Sequence, residues 1–322
     1  MRERNPERRA KTVLLVLAAF ALISMAAFMT LGAKGSWSFV LPFRGIKLLS
    51  LLLVAYAIAV STVLFQTVTN NRILTPSVMG FDSLYVLMQT GLIFVFGSAT
   101  VVMIDPQLKF LVETGLLVAF SALLYRWLFV GAERSLHLLV LVGIVFGVFF
   151  RSLSGFMQRV LDPNEYTVLQ DVLFASFNSI DPTLLMVSAV IIGVVTIIGL
   201  RLMHTLDVLS LGRATAISLG VEYKRTVTII LVLVSVLVAV STALVGPVMF
   251  FGLLVAALAH YLTGNGKHAY VLPAAILIAV ICLVGGQVVL ERIFAFDTAL
   301  SIIIEFLGGI VFIGLILKRG AR

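Results

Sequence analysis

Two carboxylates, Glu113 and Glu305, stand inside long apolar runs. An ionisable group in such a place is a functional suspect, because its charge is costly to bury. A proton relay would need a chain of such groups, and these two have no acidic neighbours in their runs, so an interfacial or helix-pairing role suits them as well. The four histidines, His137, His204, His260 and His268, are scattered near the edges of apolar runs and share no metal-ligand spacing. The single cysteine, Cys282, lies within an apolar run, cannot form an internal disulfide and reads as packing. No GxxxxGK(S/T) phosphate loop occurs, so ATP hydrolysis is not expected of this chain. No Ser/His or His/Asp set converges on a catalytic pattern. The expectation is a chain with no catalytic residues, no metal site and no cofactor of its own.

What remains is chemistry of binding and passage, in three places. Gln66, Asn70, Asn71, Thr75 and Ser77 cluster around Pro76, where a long apolar run gives way to a proline-broken segment. Irregular backbone near membrane depth is tolerated only when buried in protein or lining a cavity, so this cluster is expected at a pathway or gate. Arg44 and Lys47, three residues apart, precede the second run, and Arg292 ends the ninth. Basic side chains there either snorkel at a membrane surface or meet an acidic partner. The third place is residues 203–225, reading from His204 as HTLDVLSLGRATAISLGVEYKR. Leu209, Gly212, Ala216, Leu219 and Gly220 predict two short helices split by glycine. The segment is too polar to span a membrane and too apolar for a solvated linker, so it is expected to dock on another protein.

The elements that position these residues follow from composition. Hydrophobic residues make up 61% of the chain and charged ones 12%, against about 45–50% and about 25% in ordinary soluble domains. A crossing helix needs about 20 apolar residues. Charge-poor runs of that order recur at 12–33, 48–69, 83–104, 109–130, 135–151, 182–201, 226–246, 248–263, 269–290 and 298–317. Gly246-Pro247 divides the seventh from the eighth, since proline cannot continue a helical ladder. The runs are continuous rather than alternating, which argues against a β-barrel. The first is too long for a signal peptide and many spans follow it. The expected fold is therefore an all-α polytopic membrane protein of about ten helices, a single domain over residues 1–322, with a short helix in the outer connection at about 152–181. With the N-terminus inside, 16 Lys and Arg fall on the cytoplasmic side and 7 outside. That bias predicts both termini in the cytoplasm. The net charge of +8 is spread over loops rather than gathered into a nucleic-acid face.

Four stretches, in order, carry a resemblance. Leu211-Gly212-Arg213-Ala214-Thr215-Ala216-Ile217-Ser218-Leu219-Gly220-Val221, followed by Lys224-Arg225, is similar to the LG…A..LGV..…R segment of FecCD-type, BtuC-like permeases. Asn71-Arg72-Ile73-Leu74-Thr75-Pro76-Ser77-Val78-Met79-Gly80, with Gln66 ahead of it, resembles their RNPLAxPxxLG. Gly246-Pro247-Val248-Met249-Phe250-Phe251-Gly252-Leu253 resembles GPIxFxGL, and Phe306-Leu307-Gly308-Gly309-Ile310-Val311-Phe312 resembles LIGAPFF. The family's proline-histidine pair is replaced by Ala256-Ala257, its glycine-alanine pair by Leu84-Tyr85, and its late proline by Gly309.

That resemblance implies the permease subunit of an ATP-binding-cassette importer in a bacterial inner membrane. Such permeases import iron–siderophore complexes, haem or vitamin B12. The departures point toward the ferric catecholate siderophore branch. The resemblance makes Leu211, Gly212, Arg213, Ala214, Ala216, Leu219, Gly220 and Val221 the ATPase-coupling surface. It makes Arg44, Lys47 and Arg292 contacts for a substrate-binding protein, and Gln66, Asn70, Asn71, Thr75, Pro76, Met79, Gly246, Pro247 and Phe250 part of the pathway or gate. The implied partners are a second permease, a homologous heterodimer in preference to a homodimer, and two ATPase copies that hold ATP and Mg. An ion-gradient-driven secondary transporter is the alternative from the residues alone.

Overall fold

The computed structural model describes residues 6–33, 36–129, 136–178, 180–296 and 298–320. The side chain of His137 lies outside the described residues. Fourteen α-helices and one 3-10 turn make up this part, and no strand occurs among the described residues. They are α1 (Pro6–Thr30), α2 (Trp37–Thr69), the 3-10 turn Pro76–Met79, α3 (Phe81–Phe96), α4 (Ser98–Met103), α5 (Pro106–Phe129), α6 (Leu136–Val160) and α7 (Pro163–Leu173). There follow α8 (Pro182–Arg201), α9 (Met203–Leu209), α10 (Arg213–Ser218), α11 (Tyr223–Val245), α12 (Phe251–Thr263), α13 (His268–Arg292) and α14 (Leu300–Gly320).

Seven helices are long and apolar enough to cross a membrane, and three shorter apolar ones occupy the remaining predicted runs. Starts are written plainly. Asp105-Pro106, Asp162-Pro163 and Asp181-Pro182 each place an aspartate ahead of a helix-opening proline. The Asp181 carboxylate accepts from the backbone N–H of Thr183 at 2.7 Å, and Asp162 and Asp105 do the same for Asn164 and Gln107. Proline at the first turn loses nothing, since its missing N–H would have had no partner there.

Helices α2, α11 and α13 form the centre, with α1 and α12 against α13, α5 and α8 against α11, and α6 against α3. Their outer faces are apolar and exposed, as with Leu15, Leu111, Phe149, Val190 and Ile310. Apolar exteriors over polar-bonded interiors suit a lipid solvent. Polar ties cross the interior: Tyr125 to Ser235 at 2.8 Å joins α5 to α11, and Thr196 to Tyr56 at 2.8 Å joins α8 to α2.

Three expectations shift. Helix α2 begins at Trp37 and runs 33 residues, so Arg44 and Lys47 lie on it rather than ahead of it. The run at 83–104 is not one helix. It breaks at Gly97 (φ 75°) into α3 and α4, and the N–H of Ser98 donates to the Glu165 carboxylate of α7 at 2.6 Å. Helix α6 continues to Val160, which carries Arg151 and Arg159 on the helix and shortens the connection that holds α7.

Candidate translocation and coupling sites

The proline-broken segment folds back into the bundle. Helix α2 ends on Asn70 in the left-handed region (φ 48°), which asparagine tolerates better than most residues. The N–H groups of Asn70 and Asn71 turn back onto the carbonyls of Thr67 and Gln66, and the Gln66 amide donates to the carbonyl of Arg72 at 2.8 Å. The Asn71 side-chain oxygen accepts from the N–H of Ile73 at 3.0 Å. From there Thr75, Pro76 and Met79 are buried. The chain then passes Gly80 (φ 91°), whose Cα lies against Gly147 of α6, while a Cβ on Gly143 would come within 2.8 Å of the Met79 Cα. Small residues four apart allow this close approach of backbone to helix. Because α3 starts at this depth, its 16 residues give about 24 Å.

Between the two chain breaks lies a narrow cleft. Thr75, Pro76, Ser77 and Asp82 face Ser61 and Thr62 of α2, Ser241 and Thr242 of α11, and Gly246 and Gly252 beyond. Its enclosed space is about 30 Å³, enough for a water or two. Thr75, Pro76 and Gly246, predicted from sequence, come together here. Gln66, Asn70 and Asn71 lie one step away, at the turn. Met79 packs against α6, Pro247 is buried outside the cleft lining, and Phe250 meets the Phe312 ring of α14 edge-on at 5.3 Å.

Asp82 went unrecognised in the sequence. It is 5% exposed, one of its carboxylate oxygens has no hydrogen-bond partner among the described residues, and it shares the cleft lining with Ser77. Its signal was an acidic residue two positions after a buried glycine turn. Glu113 is buried on α5, accepts from the Gln89 amide of α3 at 2.6 Å, and has Lys109 at 3.8 Å. That is helix pairing. Glu305 is exposed on α14.

At the arginine end, the Arg44 guanidinium donates to the carbonyls of Phe28 (2.7 Å), Met29, Leu31 and Gly32, and Arg292 donates to Leu31 as well. Both cations thus close the C-terminus of α1, where free carbonyls favour positive charge. Lys47 is largely buried and pairs with Glu291 at 2.6 Å and Asn178 at 2.7 Å.

At the opposite end, α9 and α10 form the short helical pair, divided at Gly212 (φ 96°). Ala216 is buried and anchors α10, and the Arg213 guanidinium lies 5.8 Å from the Tyr223 ring. Arg213, Ala214 and Gly220 are exposed, Val221 half-buried, and Leu211, Ile217 and Leu219 present bare apolar side chains. A Cβ on Gly212 would lie 3.9 Å from the Asn70 amide, so this loop touches the turn that begins the cleft segment. Asp207 of α9 also bonds His268 of α13, a contact that sequence spacing does not announce.

A multi-pass helical bundle with a broken segment in its interior and an exposed pair of short helices at one end is an architecture that suits a membrane permease. The chain belongs to the FecCD transport family, whose model matches residues 11–318. It is 48% identical over 309 residues to the petrobactin import system permease protein YclO of Bacillus subtilis, covering 96% of this chain and 97% of that one. It is 35% identical over 325 residues to the petrobactin import system permease protein FatC of Bacillus anthracis, covering 99% and 92%. The ferric enterobactin transport system permease protein FepD of Escherichia coli is 28% identical over 304 residues, covering 93% and 88%. A solved inward-facing metal-chelate type ABC transporter superposes with a TM-score of 0.83 at 23% identity, over 96% of this chain and 99% of that one. That likeness speaks for the fold.

Proposed function

We propose that this chain is the permease subunit of an ATP-binding-cassette importer that moves a ferric siderophore inward by alternating access. The observation that carries the reading is the α9–α10 pair, held to the bundle by buried Leu206, Leu209 and Ala216 while Leu211, Ile217 and Leu219 stand exposed together. Exposed apolar side chains rimmed by charge mark a surface made for another protein. An ATPase that closes on nucleotide would move this loop and bias one packing of the cleft against another. ATP and Mg bind on that partner, and this chain holds the path.

The names of its relatives support iron–siderophore cargo, and a catecholate chelate is the first to try. FatC and FatD of Bacillus anthracis are both named petrobactin import permeases and both resemble this chain, which supports a pair of unlike permeases over two ATPase copies. The loop end faces the cytoplasm of the plasma membrane together with both termini. The arginine end receives a binding protein, although Arg44 and Lys47 also serve their own bundle there. Purifying the tagged chain from native membranes tests the assembly. Recovery of an ATPase and a second family permease, in a two-plus-two complex by native mass, is expected. Recovery of this chain alone, with no ATPase, contradicts it.

A further inference from the structure

Asp207 stands in the middle of α9. One of its carboxylate oxygens accepts from the backbone N–H of His268 at 2.8 Å and lies 2.6 Å from His268 Nδ1. The other ring nitrogen, Nε2, is 2.7 Å from the Thr67 hydroxyl of α2. The imidazole is 3% exposed. One ring therefore joins the loop, the N-terminus of α13 and the C-terminus of α2. The bookkeeping closes in either protonation state. A carboxylate only accepts, so Nδ1 carries a hydrogen. The Thr67 hydroxyl lies 2.8 Å from the Val63 carbonyl as well, so it can give its single hydrogen to Nε2, or give it to Val63 and accept from Nε2.

The two helices that meet at His268 are pinned again toward the other side of the bundle, where Lys47 of α2 pairs with Glu291 of α13 at 2.6 Å. From His268 to Glu291, α13 rises about 35 Å. Helix α2 supplies Ser61 and Thr62 to the cleft wall on the way. Apolar packing, Arg213 over the Tyr223 ring and the approach of Gly212 to Asn70 are the loop's other described contacts with the bundle, and none of these is a directional hydrogen bond.

We infer that Asp207, His268 and Thr67 form a positioning link that transmits displacement of the α9–α10 loop to the stapled α2–α13 pair, and through α2 to the cleft. This rests on the reading of the loop as the ATPase-coupling surface. A link of this kind is a two-site coupling, worth roughly 5–150-fold.

The test uses the whole transporter reconstituted in proteoliposomes. Asp207→Ala and His268→Ala should cut uptake by about tenfold while the ATPase still copurifies and still hydrolyses ATP. His268→Asn, which keeps a donor toward Asp207, should restore part of the uptake. Wild-type uptake in Asp207→Ala and His268→Ala overturns the link. So does a parallel loss of uptake, hydrolysis and ATPase recovery, which marks a merely structural role. Gly212→Trp and Leu219→Asp separate the levels. If those two leave uptake and ATPase recovery normal, the loop reading beneath the link fails. If they are defective while Asp207→Ala is normal, only the link fails.

Discussion

Arg44 and Arg292 serve their own bundle, and the proposed docking would give each of them a second surface. Their guanidinium groups already close the end of α1, so reversing them to Glu should do two separable things. It should slow capture of the binding protein, most strongly at low salt, since rim charges act mainly on association rate. It should also lower the unfolding temperature of the isolated permease. Surface plasmon resonance across a salt series and thermal unfolding in detergent read the two effects, and a change in neither denies both roles. A second residue-scale outcome concerns Gly143. Adding a side chain where only 2.8 Å is free above the Met79 backbone should cost about 1–3 kcal/mol, so Gly143→Leu should unfold at lower temperature and lose uptake. The motif residues Thr75, Pro76 and Gly246 were readable because proline and glycine mark breaks. Asp82, Asp207 and the Lys47–Glu291 pair were not, since their meaning comes from partners far away in the chain.

Among elements, the α9–α10 loop was the most legible, for Gly212 splits two short apolar patterns and nothing in the segment can span a bilayer. Its φ of 96° is a conformation L side chains rarely adopt. Gly212→Trp should therefore deform the loop, and Leu219→Asp should spoil its apolar face. Either change should abolish uptake and loosen the ATPase while membrane insertion stays intact, measured by copurification and by fractionation. The third apolar run misled for a physical reason. Gly97 sits within a run that stays hydrophobic on both sides, and a run's hydropathy does not record where the backbone turns. The return of residues 70–80 into the interior is what shortens α3. The start of α2 at Trp37 escaped notice because Pro42, normally a breaker, stands inside the helix in its second turn, past the positions where proline costs nothing.

At the scale of the molecule, the number of apolar helices followed from hydropathy because lipid leaves a spanning chain few alternatives to helices. Their arrangement did not, since which helix sits centrally depends on polar ties and small-residue contacts rather than on span hydropathy. On the proposed function, the stapled α2–α13 pair, the cleft beside it and the exposed loop would rock between two packings when a partner closes. On the proposed function, ATP on a separate subunit drives this transport. Uptake of a radiolabelled ferric siderophore should be followed in proteoliposomes holding this permease, its partner permease, the ATPase and the binding protein. Accumulation should require ATP on the ATPase side and persist when proton and sodium gradients are collapsed. Accumulation that needs a gradient, or that proceeds without ATP, would contradict it.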